Sequence, residues 1–129
     1  MTQISKSDYE SLLAFRTALR RFLHFTEQGA RAVGLTPQQH QVLLAVMGQP
    51  GRDWASVGEI AEALQIRHHA AVGLIDRCQQ AGVVMREHDP TDRRTVRVSL
   101  TDQGKDVLQR LSSANLAELK TLTDLLKGF

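Results

Sequence analysis

A single change of period divides this chain. Up to Gly82 the apolar residues recur at helical spacing, and from Thr101 onward they do so again. Between these segments Val96, Val98 and Leu100 alternate with Thr95, Arg97 and Ser99, the pattern of a half-buried strand. Val83–His88 is apolar at its start and runs into Asp89-Pro90-Thr91-Asp92, a turn-rich tetrapeptide. The pair reads as one β-hairpin set into an otherwise helical chain. That restricts the fold to mainly α architectures with a small β insertion.

The helices are well punctuated. Ser7 with Glu10 and Ser56 with Glu59 have capping-box spacing, in which each side chain satisfies the other residue's free amide. Thr36-Pro37-Gln38-Gln39 supplies a cap, Pro in the first turn and Gln at the third position. These signals predict a helix over 8–33 ending at Gly34, with Leu12, Phe15, Leu19, Phe22 and Leu23 on one stripe. A second helix over 37–47 stops at Gly48, and residues 48–53 are a loop. A third covers 57–64, and a fourth runs from near Arg67 to Gly82. Thr101 caps a last helix over 102–127, striped by Leu108, Leu111, Leu119, Leu122 and Leu126. Helix 3, a tight turn, helix 4 and a hairpin make a winged helix-turn-helix over 36–100. The 129 residues read as one domain, 1–129, with a helix at each end.

Charge is concentrated in the same place. Residues 67–97 hold six Arg against four carboxylates, whereas 1–66 and 98–129 are each neutral, so this stretch carries the whole formal net charge of +2. Local charge density of one sign builds a surface for a polyanion. On the fourth helix Ala71, Leu74, Ile75 and Cys78 share one face and are expected to pack inward. His69, Gly73, Asp76 and Gln80 then face outward, with Arg77 beside them. Glycine inside a helix costs roughly 1 kcal/mol against alanine, so an outward Gly73 is better explained by close approach of a partner. His69 and Gln80 can donate to base edges or phosphates, and Arg77 can pair a phosphate. Asp76 would be repelled by DNA and is expected to orient Arg77 or an Arg of the hairpin. At the hairpin tip Arg93 and Arg94 protrude as a minor-groove probe, with Asp92 holding one of them by a charge-assisted hydrogen bond.

Residues 36–104 resemble the MarR family of bacterial transcription regulators. The resemblance is carried by Asp89-Pro90-Thr91-Asp92-Arg93-Arg94, then Val98-Ser99-Leu100-Thr101 and Thr101-Asp102-Gln103-Gly104. Leu35-Thr36-Pro37, Asp76-Arg77 and Ala81-Gly82-Val83-Val84 add to it. It implies a homodimer, most often a repressor, that places a recognition helix in the major groove of a pseudo-palindromic operator and the wing in the minor groove. By position, Arg94 becomes the minor-groove residue, Arg93 a phosphate contact and Asp92 the brace. Arg67, His68 and His69 stand where relatives often carry Ser or Thr caps, so the operator cannot be borrowed from them. The tail beyond the last helix is shorter than is usual in the family. Exposed stripes on the terminal helices independently call for a covering surface, which a twofold dimer would supply, the alternative being that the two helices pack only on each other within a monomer. The family also implies a site for a small aromatic or phenolic effector between the terminal helices and the winged core. Phe22, His24, Phe25, His40 and Trp54 are the candidates for it, although aromatic residues at helical spacing more often serve the core.

Other classes fare worse. No nucleophile–base set or acid pair appears at useful spacing, so no enzymatic activity is expected. No cofactor or metal is expected either: His68 and His69 point about 100° apart on a helix, and His24, His40 and His88 belong to three different elements. Cys78, the single cysteine, reads as a core residue, with a redox-sensing role the less favoured alternative. With a polar N-terminus and no apolar run near the roughly 20 residues that span a bilayer, a soluble cytoplasmic protein is expected. The rival function is a winged-helix module that binds protein instead of DNA.

Overall fold

Ser5, Thr36, Ser56 and Thr101 each accept, through the side-chain hydroxyl, the backbone N–H three residues on, at 3.1 Å in every case. These four caps open four of the five helices in a computed structural model that describes residues 3–128. The elements are α1 (Lys6–Ala32), α2 (Pro37–Met47), β1 (Trp54–Ser56), α3 (Val57–Leu64), α4 (His68–Gln80), β2 (Val84–His88), β3 (Val96–Leu100) and α5 (Asp102–Leu126). The molecule is thus mainly helical with a small antiparallel wing, as the change of period predicts.

Two boundaries differ from expectation. The first helix begins at Ser5, whose capping box is closed by Asp8; the Ser7–Glu10 pair lies inside the helix. Both signals have the right spacing, and the earlier one wins because it adds two residues, about half a turn, with the Tyr9 N–H bonded to the Ser5 carbonyl. The hairpin is also not alone. Trp54–Ser56, three residues too short to show alternation, pairs antiparallel with β3 to give a sheet of order β1-β3-β2.

Helix ends are closed as tightly as their starts. Gly82, with φ +78°, follows the last turn of α4; its N–H bonds to the Gln79 carbonyl and that of Val83 to the Cys78 carbonyl. Between α3 and α4, Gln65 takes the left-handed conformation at φ 55°, which lets the two helices turn sharply. The core lies under this arrangement, with Leu43, Ile60, Ile75, Val98 and Leu100 buried among α2, α3, α4 and the sheet.

The terminal helices α1 and α5 pack on each other beside this core. Of the expected stripe on α1, Phe15, Leu19 and Phe22 are half-buried, while Leu12 and Leu23 are exposed. Leu13 of α1 and Leu116 of α5 are 66% and 65% exposed, and Leu119 and Leu126 are exposed too. No helix among the described residues is long and apolar enough to cross a membrane.

Candidate nucleic-acid interface

Helix α4 is seated by Ala71, Leu74, Ile75 and Cys78, all buried. Helical geometry therefore turns His69, Arg77 and Gln80 outward, where all three are exposed, and leaves Gly73 and Asp76 half-exposed. A Cβ on Gly73 would meet nothing closer than the Arg77 guanidinium at 3.8 Å, so packing within the chain does not require glycine there. Unlike the other helices, α4 has no side-chain cap: Arg67 occupies the N-cap position and makes no capping hydrogen bond. Arg67, His68 and His69 are exposed around that end, where free amides and the helix dipole favour an anion.

Asp76 does have a partner. Its carboxylate accepts from Arg86 Nη2, and Gln79 Oε1 accepts from Arg86 Nε at 2.9 Å. The hairpin thus supplies the cation that offsets the carboxylate on the outward face of α4. The expectation of a hairpin Arg is met by Arg86, which the sequence does not single out, since ten residues and a chain reversal separate the pair.

The wing tip is organised by two carboxylates. One oxygen of Asp89 accepts from the Thr91 N–H (2.8 Å), the Thr91 hydroxyl (2.7 Å) and the Asp92 N–H (3.1 Å), and the other from Arg97 Nε (2.8 Å). Hydrogen bonds from Thr91, then from Arg97, hold this carboxyl far below the usual carboxylate range. Asp92 Oδ1 accepts from the Arg94 N–H at 3.1 Å and from its Nε at 3.4 Å. The Arg94 side chain is nevertheless 93% exposed, projecting from the tip while tied at its base. Arg93 is exposed as well, and its carbonyl accepts from His88 Nδ1 at 3.0 Å. Arg94 and His68 line one cleft of about 260 Å³, together with Ser56, Gly58 and Thr95. The N-terminus of the fourth helix and the wing therefore meet across a single groove.

Of the residues considered for an effector, Phe22 and His40 come together, and His24, Phe25 and Trp54 do not join them. A cavity of about 350 Å³ opens among α1, α2 and α5; Phe22 and His40 line it with Leu44, Asn115 and Leu119. His40 is 3% exposed, and burial depresses its pKa, favouring the neutral ring. His24 lies on the exposed side of α1 with Arg20 and Arg21, because two residues of helix turn it well away from both Phe22 and Thr26. Phe25 is at the surface and outside the cavity lining. Trp54 belongs to the wing sheet: Ala55 points into the core, so strand alternation puts Trp54 on the other face. There its ring carries the guanidiniums of Arg52 and Arg97, centred 4.2 and 4.1 Å from the ring centroid. Among the described residues no group of three or more His, Cys, Asp and Glu could hold a metal ion.

Comparison with known proteins bears on this arrangement. The sequence profile of the MarR family matches residues 33–95. The HTH-type transcriptional regulator YcgE of Bacillus subtilis, itself uncharacterised, is 30% identical over 129 residues, covering 95% of this chain and 82% of that protein. The transcriptional activatory protein BadR of Rhodopseudomonas palustris is 34% identical over 116 residues, covering 87% of this chain and 65% of BadR. For the first four curated relatives the matched region spans 44% to 65% of their own length. Among solved structures, S. aureus MepR in complex with DNA superimposes with a TM-score of 0.70 at 20% identity, covering 95% of this chain and 85% of MepR.

Proposed function

The chain belongs to the MarR family, and from that premise we propose that it is a sequence-specific regulator that binds double-stranded DNA as a homodimer. One observation carries the reading. Arg94 projects from the wing, braced by Asp92, across the same cleft as His68 at the uncapped end of α4. A helix that reads base edges and a hairpin that reaches the adjacent groove must be neighbours in this way. In this reading the winged core of residues 36–100 does the reading and the terminal helices dimerise. His69, Gly73 and Gln80 face the major groove, Arg67, His68, Arg77 and Arg93 serve the phosphates, and Arg94 enters the minor groove. The fold is shared with MepR, which has been solved on DNA.

The exposed leucines of α1 and α5 support a twofold dimer through those helices. Two copies of α4 about 34 Å apart would then meet successive major grooves, so the operator is a pseudo-palindrome. We assign a repressor's action, because a dimer occupying more than a helical turn excludes other proteins from that DNA. The cavity beside Phe22 and His40, lying between the terminal helices and the core, is where a small aromatic or phenolic effector would alter the spacing of the two readers. Such a protein works in the cytoplasm, where bacterial DNA is.

The test is a salt titration of duplex binding, on duplexes selected by the protein from a random pool. Affinity should fall steeply with salt, and Arg94→Ala should weaken it by roughly 1–3 kcal/mol. Selected sites should share two half-sites about one turn apart. Salt-insensitive binding, or none to any duplex, would favour the rival reading of a protein-interaction module.

A further inference from the structure

We propose that Trp54 is a positioning residue for the wing, holding it at the angle from which Arg94 reaches DNA by stacking on Arg97. The proposal rests on the reading above for its DNA arm, while its structural arm can be tested without DNA.

The wing needs such a support. Strand β1 pairs with β3 only from Trp54 opposite Ser99 to Ser56 opposite Arg97. Beyond that, the ladder continues between β2 and β3 alone, out to His88 opposite Val96. Two-stranded ribbons are marginal in water and twist strongly, so the lean of the tip has to be set by side chains. Arg97 stands where the third strand gives out, paired across to Ser56 on one side and Glu87 on the other. Its guanidinium reaches both ways: over the Trp54 ring at 4.1 Å and to Asp89 Oδ2 at 2.8 Å. Asp89 in turn organises the turn through Thr91 and Asp92, and Asp92 braces Arg94.

The other end of this path is also anchored. Arg52 lies over the same ring at 4.2 Å and makes a two-point ion pair with Glu59, whose Oε1 takes Arg52 Nη1 at 2.9 Å. Glu59 closes the capping box of α3 on the Ser56 N–H at 2.9 Å. Two cations over one ring repel each other, and each here has its own carboxylate, Glu59 for Arg52 and Asp89 for Arg97. Attraction of a guanidinium to an indole face is stronger than to a phenyl face and absent for an aliphatic side chain. Trp54 therefore ties the wing to the start of the helix-turn-helix, and its bulk alone would not.

The experiment uses the full chain with Trp54→Phe, Trp54→Leu, Arg94→Ala and the Trp54→Leu/Arg94→Ala pair. Two quantities are measured: affinity for a fluorescein-labelled duplex selected by the wild type, and amide exchange of the free protein. Trp54→Leu should weaken binding about tenfold and Trp54→Phe no more than about twofold, since phenyl retains part of the stack. In the Arg94→Ala background, Trp54→Leu should cost less than about twofold, because the two residues act through one contact. Exchange at residues 91–95 should quicken in Trp54→Leu while that of α4 stays unchanged. Arg97→Gln removes the cation and leaves the ring, and should reproduce these changes if Trp54→Leu is too unstable to use. Equal binding by the Leu and Phe variants, multiplicative penalties, or unaltered wing exchange would each overturn the proposal. If Arg94→Ala leaves affinity intact, the DNA role of the wing fails, and the exchange data still decide whether Trp54 positions it.

Discussion

A Cβ on Gly104 would lie 2.0 Å from the carbonyl oxygen of Val83, so the first turn of α5 sits directly against the backbone that leads into β2. The contact is fastened by Thr101, whose hydroxyl donates to the Gly82 carbonyl at 2.6 Å and whose N–H donates to the Val83 carbonyl at 3.2 Å. This joint connects the terminal helix to the turn between α4 and the wing, and no side chain fits there. Gly104→Ala should destabilise the fold by about 2–3 kcal/mol, the cost of overpacking against backbone that cannot swing aside. Gly73 makes the matched control, since a Cβ there has room. Gly73→Ala should stabilise by up to about 1 kcal/mol through helix propensity while weakening DNA binding. Urea midpoints and duplex affinities of the two variants check both signs; a stable Gly104→Ala would refute the joint.

Asp76→Ala gives a second prediction. The Asp76–Arg86 pair is half-exposed and screened by solvent, so its loss should change stability by about 1 kcal/mol at most. Binding should respond differently, because the variant loses a carboxylate from the reading face and frees a guanidinium. Affinity for non-specific duplex should rise, and the slope of log K against log salt should steepen by about 0.9 for one added phosphate contact. An unchanged slope would mean that Arg86 does not reach the backbone of the DNA.

What could be read in advance was local. The capping boxes at Thr36 and Ser56, the apolar face of α4 and the Asp92–Arg94 brace all involve residues within a few positions of each other, where spacing alone brings groups together. Ser5 and Ser7 present the same signal two residues apart, and only the extra half-turn of helix chooses between them. Strand β1 was invisible because three residues cannot display a period, and its pairing with Ser99 and Arg97 lies over forty positions away. For the same reason Trp54 was grouped with residues of α1 and α2, although Arg97 is what it touches. The partner of Asp76 was foreseen as an Arg of the hairpin, but which Arg depends on the turn at Gly82.

His40 yields a pH prediction. Burial lowers its pKa below the ordinary 6.5, so the folded state prefers the neutral ring. A depressed folded pKa means that this contribution is complete above pH 6.5 and is lost as pH falls through that value toward the folded one. The urea midpoint of the wild type should therefore drop between pH 7.5 and 5.5 by more than that of His40→Gln. Parallel curves for the two proteins would show that His40 is not held neutral by burial. Because His40 lines the cavity beside Phe22, a neutral aromatic compound that fills it should shift the wild-type midpoint upward.

Cys78 is the last group with a marked shift, and it predicts inertness. It is completely buried on the inward face of α4, and desolvation pushes its thiol up to about 11 against a smaller opposing pull from Arg77. At pH 8 the thiolate fraction is then about 100-fold below that of a free cysteine, and the sulfur has no access to solvent. Iodoacetamide should label the native protein only as fast as it opens, and at the free-thiol rate once urea has unfolded it. The same shift bears on alkaline stability. A thiol raised from 9.0 to about 11 stabilises the fold below pH 9, and that contribution is lost as pH rises through the folded value. Cys78→Ala should remove the alkaline loss, at the cost of a small cavity in the core. Hydrogen peroxide should leave duplex binding unchanged for the same reason. Rapid labelling of the native protein at pH 8, or release of DNA by peroxide, would instead make Cys78 a sensor.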